Sequence, residues 1–366
     1  MGVSRSVAAA PRRRSFVGAL IATAFIVAGL GLGDSADAKT PTGVTANKEW
    51  QTGSLPRGVT KAKIDALVTP AMGARNNPNR VRSVLITIGD RIVYERYHPR
   101  DNKNTVMTAF SVSKSFTSTI VGLLANDGFL SLDARVPVAS WADPADPRST
   151  ITLRNMLHMA SGIQWDESLV PNNDLMKLTA APSASEYGAN KPADKAPNTE
   201  WEYNNGTSAI LGSLVYPIAG SVPAAEAYMQ QKLFGAIGIK TLKMGKDSTG
   251  RYLGYMGADM TTRDFARFGL LYLNRGMWGT KRVLPESWVD FVKTPSTVNP
   301  EYGGHFWLYK DGGFMARGAG GQQIVIAPAK KMVMVITLDF QLPDHAASMA
   351  KGQKLRDDIY ALFPNQ

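Results

Sequence analysis

The chain of 366 residues contains no cysteine and only four histidines. Without a thiol it has no disulfide, no thiolate nucleophile and no thiolate metal ligand. The histidines, at positions 98, 158, 305 and 345, form neither an HExxH nor an HxH pattern. A GxSxG nucleophile elbow and the usual phosphate-binding glycine loop are also missing. We therefore expect no metal and no cofactor.

Clustered positive charge is missing as well, although the formal net charge is +11. Lysine and arginine are scattered and never form a block of five. This distribution indicates a basic surface rather than a segment that binds nucleic acid. We expect no nucleic-acid partner, and the sequence leaves the oligomeric state open.

The N-terminus has the pattern of an export signal. Three arginines at 12–14 precede an apolar stretch at 16–32, and small residues surround Ala38. The stretch is short and rich in glycine and alanine, which favours a cleaved leader over a membrane anchor. Arg13 and Arg14 also fit a twin-arginine signal, so either export route remains open. We predict a signal peptide over 1–38, one domain over 39–366, no stable membrane anchor after cleavage, and a periplasmic or secreted protein.

The pattern of strands and helices predicts an α/β protein of the α+β type. Residues 83–88 and 91–97 alternate around Gly89-Asp90 as in a β-hairpin. Strands return at the C-terminal end, and most of the segment between is helical, roughly over residues 130–300. We expect an antiparallel sheet formed from N- and C-terminal strands and flanked by helices, with an inserted, mainly helical subdomain. Residues 171–198, polar and rich in proline, are predicted to form a long loop.

The candidate nucleophile lies in Ser111-Val112-Ser113-Lys114, at the start of an apolar helix. One helical turn separates the hydroxyl from the amine, so both side chains face the same way. Lysine can deprotonate serine only where its surroundings lower its pKa from about 10.4 to about 7. The pattern predicts Ser111 as the nucleophile and Lys114 as its base. The same spacing at Ser348 and Lys351 lies in a polar stretch, and we interpret it as structural.

Two further segments supply what this chemistry needs. Tyr203-Asn204-Asn205 places a phenol, which can pass a proton to a leaving group, two residues before an amide. The glycine-rich residues 316–322 lead into a strand and could present backbone N–H groups to an oxyanion. A second YxN pattern at Tyr272 lies in an amphipathic helix and indicates packing. The acidic pair Asp166-Glu167 is interpreted as solvated loop charge.

Together these motifs resemble the serine β-lactamase-like hydrolases related to penicillin-binding proteins, nearest the class C β-lactamase and 6-aminohexanoate-dimer hydrolase branch. The resemblance extends over roughly residues 84–363 and rests on residues 110–115, 157–163, 203–205, 260–271 and 316–322. It implies a β-lactamase/transpeptidase-like fold in which Ser111 forms an acyl-enzyme while Lys114 and Tyr203 transfer protons. It also implies that Asn205 orients Lys114 or a substrate amide, and that the N–H groups of Ser111 and Ala319 hold the oxyanion.

The third motif departs from that family. Where β-lactamases and peptidases carry Lys-Thr-Gly, this chain has Ala316-Arg317-Gly318, so the lysine that binds a β-lactam carboxylate is missing. Arg317 is the remaining candidate for charge toward the substrate. The expected function is an exported serine hydrolase acting on a small amide or ester, such as a 6-aminohexanoate oligomer or a carboxylic ester. The alternative is a penicillin-binding envelope sensor, a D-amino-acid peptidase or a weak β-lactamase with little turnover.

Overall fold

A computed structural model describes residues 49–366 except 75, 78, 169, 170, 342 and 343. The predicted leader and its cleavage position at Ala38 lie outside the described residues. The strands are β1 (Gln51–Thr52), β2 (Val81–Ile88), β3 (Arg91–Tyr97), β4 (Val106–Met107), β5 (Lys243–Met244), β6 (Ala258–Thr261), β7 (Met277–Trp278), β8 (Lys281–Arg282), β9 (Trp307–Leu308), β10 (Phe314–Arg317), β11 (Gln323–Ala327) and β12 (Met332–Leu338). The helices are α1 (Lys61–Met72), α2 (Ser113–Asn126), α3 (Leu153–Leu157), α4 (Asp174–Ala180), α5 (Ala184–Ala189), α6 (Asn205–Ser213), α7 (Val215–Ala219), α8 (Val222–Met229), α9 (Thr262–Leu273), α10 (Glu286–Lys293) and α11 (His345–Leu362).

The main sheet joins the two ends of the chain in the strand order β1-β3-β2-β12-β11-β10-β9. Strand β12 makes this junction, because it pairs antiparallel with β2 on one side and with β11 on the other. The predicted α+β fold, with a sheet from both termini flanked by helices, is confirmed. One detail differs: β1 pairs with β3 in parallel, so the sheet is mixed rather than purely antiparallel.

Both faces of the sheet are covered, which is why β12 is apolar along its whole length. Val333 and Val335 belong to the core shared with α2 and α9, whereas Met334 and Ile336 belong to the core shared with α1 and α11. Helix α9 approaches closely at Gly269, where a β-carbon would lie 2.5 Å from a methyl group of Val333. The layers are thus helix, sheet, helix.

The predicted loop over residues 171–198 is wrong, since α4 and α5 lie within it. The four prolines that suggested irregular chain, at 171, 182, 192 and 197, all fall outside these two helices. Asn173 and Ser183 start the helices by accepting hydrogen bonds from Met176 and Glu186 backbone N–H groups. Short helices with polar N-caps therefore fit between the prolines.

Helix α5 supports the start of α6. A β-carbon at Gly188 would lie 2.8 Å from the carbonyl oxygen of Gly206, so the two backbones touch. Within the described residues no single helix is long and apolar enough to cross a membrane, although the bent pair Asn205–Ala219 and Val222–Phe234 satisfies length and composition. All residues of α6 except Ser213 are buried in the protein.

Candidate active site

Ser111 lies in a short 3-10 turn, Phe110–Val112, that leads directly into α2. Phe110 adopts a φ of 46°, a left-handed conformation that is strained for a residue with a side chain. Its ring packs against Phe340 with centroids 5.4 Å apart, which helps to hold the turn. The first N–H groups of a helical turn have no acceptor within the turn, so the turn itself does not use the N–H of Ser111.

Helix α2 is buried from Ser113 to Leu124, although many of its residues carry hydroxyl groups. These hydroxyls are bonded to the surrounding backbone: those of Ser115, Thr117 and Ser118 donate to the carbonyl oxygens of His305, Gly254 and Gly304. Because buried hydroxyl groups need such partners, the bonds fix the helix in one position. The helix therefore presents Lys114 to the site from a rigid support.

The Lys114 amine lies among three oxygen atoms. Its Nζ is 3.0 Å from Ser111 Oγ, 2.5 Å from Asn205 Oδ1 and 3.3 Å from the carbonyl oxygen of Tyr255. The structure thus brings Ser111, Lys114 and Asn205 together as the sequence motifs predict. The side chain is 1% exposed, so water does not compete for these contacts.

These three partners determine where a neutral lysine points its lone pair. The Asn205 oxygen and the Tyr255 carbonyl can only accept hydrogen bonds, so they take the two N–H groups of a neutral amine. The lone pair is left for the third partner, the Ser111 hydroxyl, which can donate. Lys114 in its neutral form is therefore oriented to remove the proton of Ser111.

Burial supplies the neutral form. Desolvation lowers the pKa of Lys114 to about 7, while the negative charge of Glu167 acts in the opposite direction. A substantial fraction of the amine is therefore unprotonated near neutral pH. A lysine base needs this lower pKa, and the buried position of Lys114 on α2 provides the physical cause.

Tyr203 lies just before the Asn204 cap of α6, and its ring contacts both Lys114 and Trp307. Burial raises the pKa of Tyr203 well above its usual range, whereas Ser111 and the positive charge of Arg317 oppose that shift. The phenol therefore keeps its proton at neutral pH. Burial thus separates the two groups: Lys114 is able to accept a proton and Tyr203 is able to donate one.

A cleft of about 270 Å³ opens onto Ser111. Its lining consists of Ser111, Glu167, Tyr203, Trp307, Arg317, Gly318, Ala319, His345 and Met349. Four predicted site residues, Ser111, Tyr203, Arg317 and Ala319, therefore share one cleft, while Lys114 and Asn205 lie behind it. A larger groove of about 630 Å³, lined by residues such as Tyr216 and Pro217, includes none of the predicted site residues.

The end of β10 passes directly against the turn that carries Ser111. A β-carbon at Gly318 would lie 2.6 Å from the carbonyl oxygen of Ala109 and 3.2 Å from the backbone nitrogen of Ser111, so only glycine fits. Ala319 follows and opens a second 3-10 turn, Ala319–Gly321. Ser111 and Ala319 thus each lie within the first residues of a 3-10 turn, and both line the same cleft.

Arg317 is the last residue of β10, and its guanidinium lies over the Trp307 ring, 5.3 Å from the centroid. It is partly buried in the cleft, and it forms no ion pair with a carboxylate of the described residues. The planar guanidinium is suited to two parallel hydrogen bonds with a carboxylate. The cleft thus contains a positively charged group that pairs with no carboxylate in the described part of the chain.

The cleft is also lined by four residues that no sequence motif predicts: Glu167, Trp307, His345 and Met349. The sequence predicts a solvated loop charge at Glu167, but its carboxylate accepts hydrogen bonds from Asn205 Nδ2 and Trp165 Nε1. A signal was available in the Trp165-Asp166-Glu167 sequence, where a large aromatic residue directly precedes the acidic pair. His345 and Met349 come from the first turns of α11, distant in sequence from the other motifs.

Comparison with known proteins identifies the family of this chain. The protein family described as Beta-lactamase matches residues 64–355 of this chain. The chain belongs to the beta-lactamase family, and it is a serine hydrolase of that type.

Among curated proteins the chain is similar to 6-aminohexanoate-dimer hydrolase of Paenarthrobacter ureafaciens. The two are 24% identical over 273 residues, which cover 69% of this chain and 66% of that relative. Among solved structures it is similar to a Bacillus anthracis protein provisionally named 6-aminohexanoate-dimer hydrolase, with 19% identity, a TM-score of 0.69 and coverage of 87% of this chain and 88% of the other. A hydrolase with promiscuous acyltransferase activity matches with 15% identity, a TM-score of 0.64 and coverage of 82% and 99%. These structural similarities show the fold.

Proposed function

We propose that the protein hydrolyses a small amide or ester through an acyl-enzyme on Ser111, with Lys114 as the base. The observation that carries this proposal is the set of three contacts around Lys114. Two acceptors can take its N–H groups, and Ser111 Oγ lies 3.0 Å from Nζ, where its O–H can donate to the lone pair of the neutral amine. In this arrangement the buried Lys114, with a pKa of about 7, can activate the serine beside it.

Acylation follows from these positions. The proton of Ser111 passes to Lys114 while Oγ attacks the carbonyl carbon of the substrate. The negative oxygen of the tetrahedral intermediate lies between the N–H groups of Ser111 and Ala319. The C–N or C–O bond then breaks, and the leaving group takes a proton from Tyr203, which regains one from the ammonium of Lys114.

Deacylation uses the same groups in reverse order. A water molecule gives a proton to the neutral amine of Lys114 and attacks the carbonyl carbon of the acyl ester. The bond to Ser111 Oγ breaks, the serine recovers its proton, and a carboxylic acid is released. The overall reaction consumes one water and restores every side chain.

The lining of the cleft favours an acyl group that carries a carboxylate. Trp307 and Tyr203 form an aromatic wall with stacked rings 6.1 Å apart, which suits an apolar chain. Arg317 lies at Trp307 and can bind an anionic end of that chain. The similarity to a 6-aminohexanoate-dimer hydrolase supports a linear amide with such an end as one candidate substrate.

The Ser111→Ala variant tests the proposal. Turnover of a p-nitrophenyl ester should fall on the order of 10³-fold or more, and labelling by a fluorophosphonate should disappear. The matched control is Ser348→Ala in the second SxxK sequence. Ser348 is buried, with a hydroxyl that has no partner among the described residues, and Lys351 donates instead to the Asn79 carbonyl. Unchanged labelling of Ser111→Ala would refute the proposal.

Labelled penicillin, followed over time, distinguishes the proposed function from the alternative, a penicillin-binding sensor or weak β-lactamase. Rapid turnover or a stable adduct on Ser111 would indicate recognition of β-lactams despite the missing lysine of the third motif. We expect slow or no reaction, because Ala316 is buried in the sheet and offers no charge. A panel of esters, D-amino-acid peptides and ε-amino-acid oligomers then identifies the preferred acyl group.

A further inference from the structure

The carboxylate of Glu167 is held at both of its oxygen atoms. Asn205 Nδ2 donates to Oε1 at 2.6 Å, and Trp165 Nε1 donates to Oε2 at 2.5 Å. Both donors are buried, with Asn205 3% and Trp165 7% exposed, whereas Glu167 itself is exposed. Such bonds fix the orientation of a carboxylate that would otherwise be mobile in water.

This contact determines which way the Asn205 amide faces. An ionised carboxylate only accepts hydrogen bonds, so Asn205 turns its NH₂ group toward Glu167. Its oxygen then faces Lys114, at 2.5 Å. In the opposite orientation the amide oxygen would face the carboxylate and the NH₂ group would face the amine. Lys114 would then lose the acceptor that occupies one of its N–H groups.

We infer that Glu167 is a positioning residue, which acts through Asn205 to direct the lone pair of Lys114 at Ser111. The chain of contacts runs from Glu167 to Asn205, then to Lys114 and to Ser111. The inference rests on the proposed function, because it needs Lys114 as the base. It assigns a role to an acidic residue on the loop before α4 that has no part in the bond changes themselves.

Glu167 also affects the charge state of the amine. Of the titratable groups that face Lys114, Tyr203 is uncharged near neutral pH because burial raises the pKa of its phenol. His305 is uncharged too, since burial lowers the pKa of its imidazole to about 3. Among described residues, Glu167 is the charged group that acts on Lys114, and it favours the ammonium. Arg317 acts on Tyr203 rather than on the amine.

The test compares Glu167→Gln and Glu167→Ala with Asp166→Asn. Asp166 is the neighbouring exposed acid, and its carboxylate accepts hydrogen bonds from Ser168 within the same loop. The control therefore removes an equal charge one residue away. The readouts are kcat/KM for a p-nitrophenyl ester between pH 5 and 9, and the rate of fluorophosphonate labelling of Ser111 over the same range.

For both Glu167 variants we expect kcat/KM at pH 8 to fall on the order of 10-fold to 100-fold, because a misdirected base is a poor one. The acidic limb of the profile should move to lower pH, so the ratio of the rate at pH 6 to that at pH 8 should rise. Asp166→Asn should show neither change. The Gln variant should retain more activity than the Ala variant, since its amide oxygen can still accept one of the two bonds.

Two results would overturn the inference. One is a lower rate with an unmoved acidic limb, which is what a purely structural role predicts. The other is an equal limb shift in Asp166→Asn, which indicates general surface charge. Failure of the proposed function is distinguishable, because wild-type Ser111 would then resist fluorophosphonate labelling. Normal labelling in wild type and identical profiles in the Glu167 variants would reject the role of Glu167 alone.

Discussion

The Lys114 amine lies over the face of the Tyr203 ring, 4.7 Å from its centroid. An ammonium at this distance is attracted by the electron-rich ring face. When Lys114 takes the proton of Ser111, the charge therefore develops where an aromatic face stabilises it. Tyr203 thus has two separable parts: a ring that faces the amine and a hydroxyl that can move a proton.

The Tyr203→Phe variant separates these parts. Phenylalanine keeps the ring against Lys114 and Trp307 but removes the phenolic proton, so kcat should fall about 10² to 10⁴-fold while labelling of Ser111 continues. The matched control is Tyr272→Phe in the second YxN sequence. Tyr272 is buried and its hydroxyl bonds only to Thr119 Oγ1 among the described residues, at 2.7 Å. The control should lose about 1 kcal/mol of stability and keep its activity. Equal activity of the two variants would remove Tyr203 from the mechanism.

The pH dependence of the wild-type enzyme follows from Lys114. Its pKa is lowered to about 7, and only the neutral amine can accept the serine proton. We therefore expect kcat/KM for a neutral ester to rise with pH and to level off above about 7. In Lys114→Arg the rise of kcat/KM with pH should disappear, and the rate should fall on the order of 10³-fold, because arginine stays protonated. A wild-type rate that is constant from pH 5 to 8 would contradict Lys114 as the base.

Arg317 should select substrates by charge. The test compares an ester whose acyl chain ends in a carboxylate with the same compound in which that carboxylate is methylated. Arg317→Met should lower the ratio of kcat/KM for the carboxylate substrate to kcat/KM for the methylated one by about 10-fold to 100-fold. Methionine retains an apolar contact with Trp307, so the aromatic wall is preserved. High salt should reduce the preference in the wild type and leave the variant little changed. If the substitution leaves this ratio unchanged, the charged end of the acyl chain does not lie at Arg317.

The local parts of the site were predictable from sequence because their geometry is local. Ser111 and Lys114 lie one helical turn apart, and this spacing alone places the hydroxyl near the amine. The hairpin of β2 and β3 and the helix that begins at the nucleophile motif were predicted for the same reason. Each depends on neighbouring residues and on turn chemistry, and the structure confirms those elements.

The long-range parts were not predictable in this way. Glu167 contacts Asn205 across 38 positions, and this contact depends on where α5 and α6 pack. The direction of Arg317 depends on the register of β10 and β11, in which Arg317 pairs with Gln323. Alternation along a strand gives two faces but does not say which one meets the cleft. The prolines around α4 and α5 favour a loop in the sequence. The capping residues Asn173 and Ser183 were the better signal, because they mark where the two helices begin.

Stability should depend on pH through a buried histidine. His158 is 4% exposed and stacks on Phe291, with ring centroids 5.2 Å apart, and its Nε2 has no partner among the described residues. Burial lowers the pKa of His158 from 6.5 to about 4, so the folded protein binds fewer protons than the unfolded chain between these values. The contribution is complete above pH 6.5 and is lost as the pH falls toward 4.

The expected loss from this residue is about 2 to 3 kcal/mol of unfolding free energy at pH 4.5. His305 adds to the same acid sensitivity, since its pKa is lowered to about 3. His158→Phe keeps the stacking but removes the titrating group, so its unfolding free energy should fall less between pH 7.5 and 4.5. Urea denaturation of both proteins across this range measures the difference. Parallel curves would mean that His158 is protonated as readily in the folded state as in the unfolded chain.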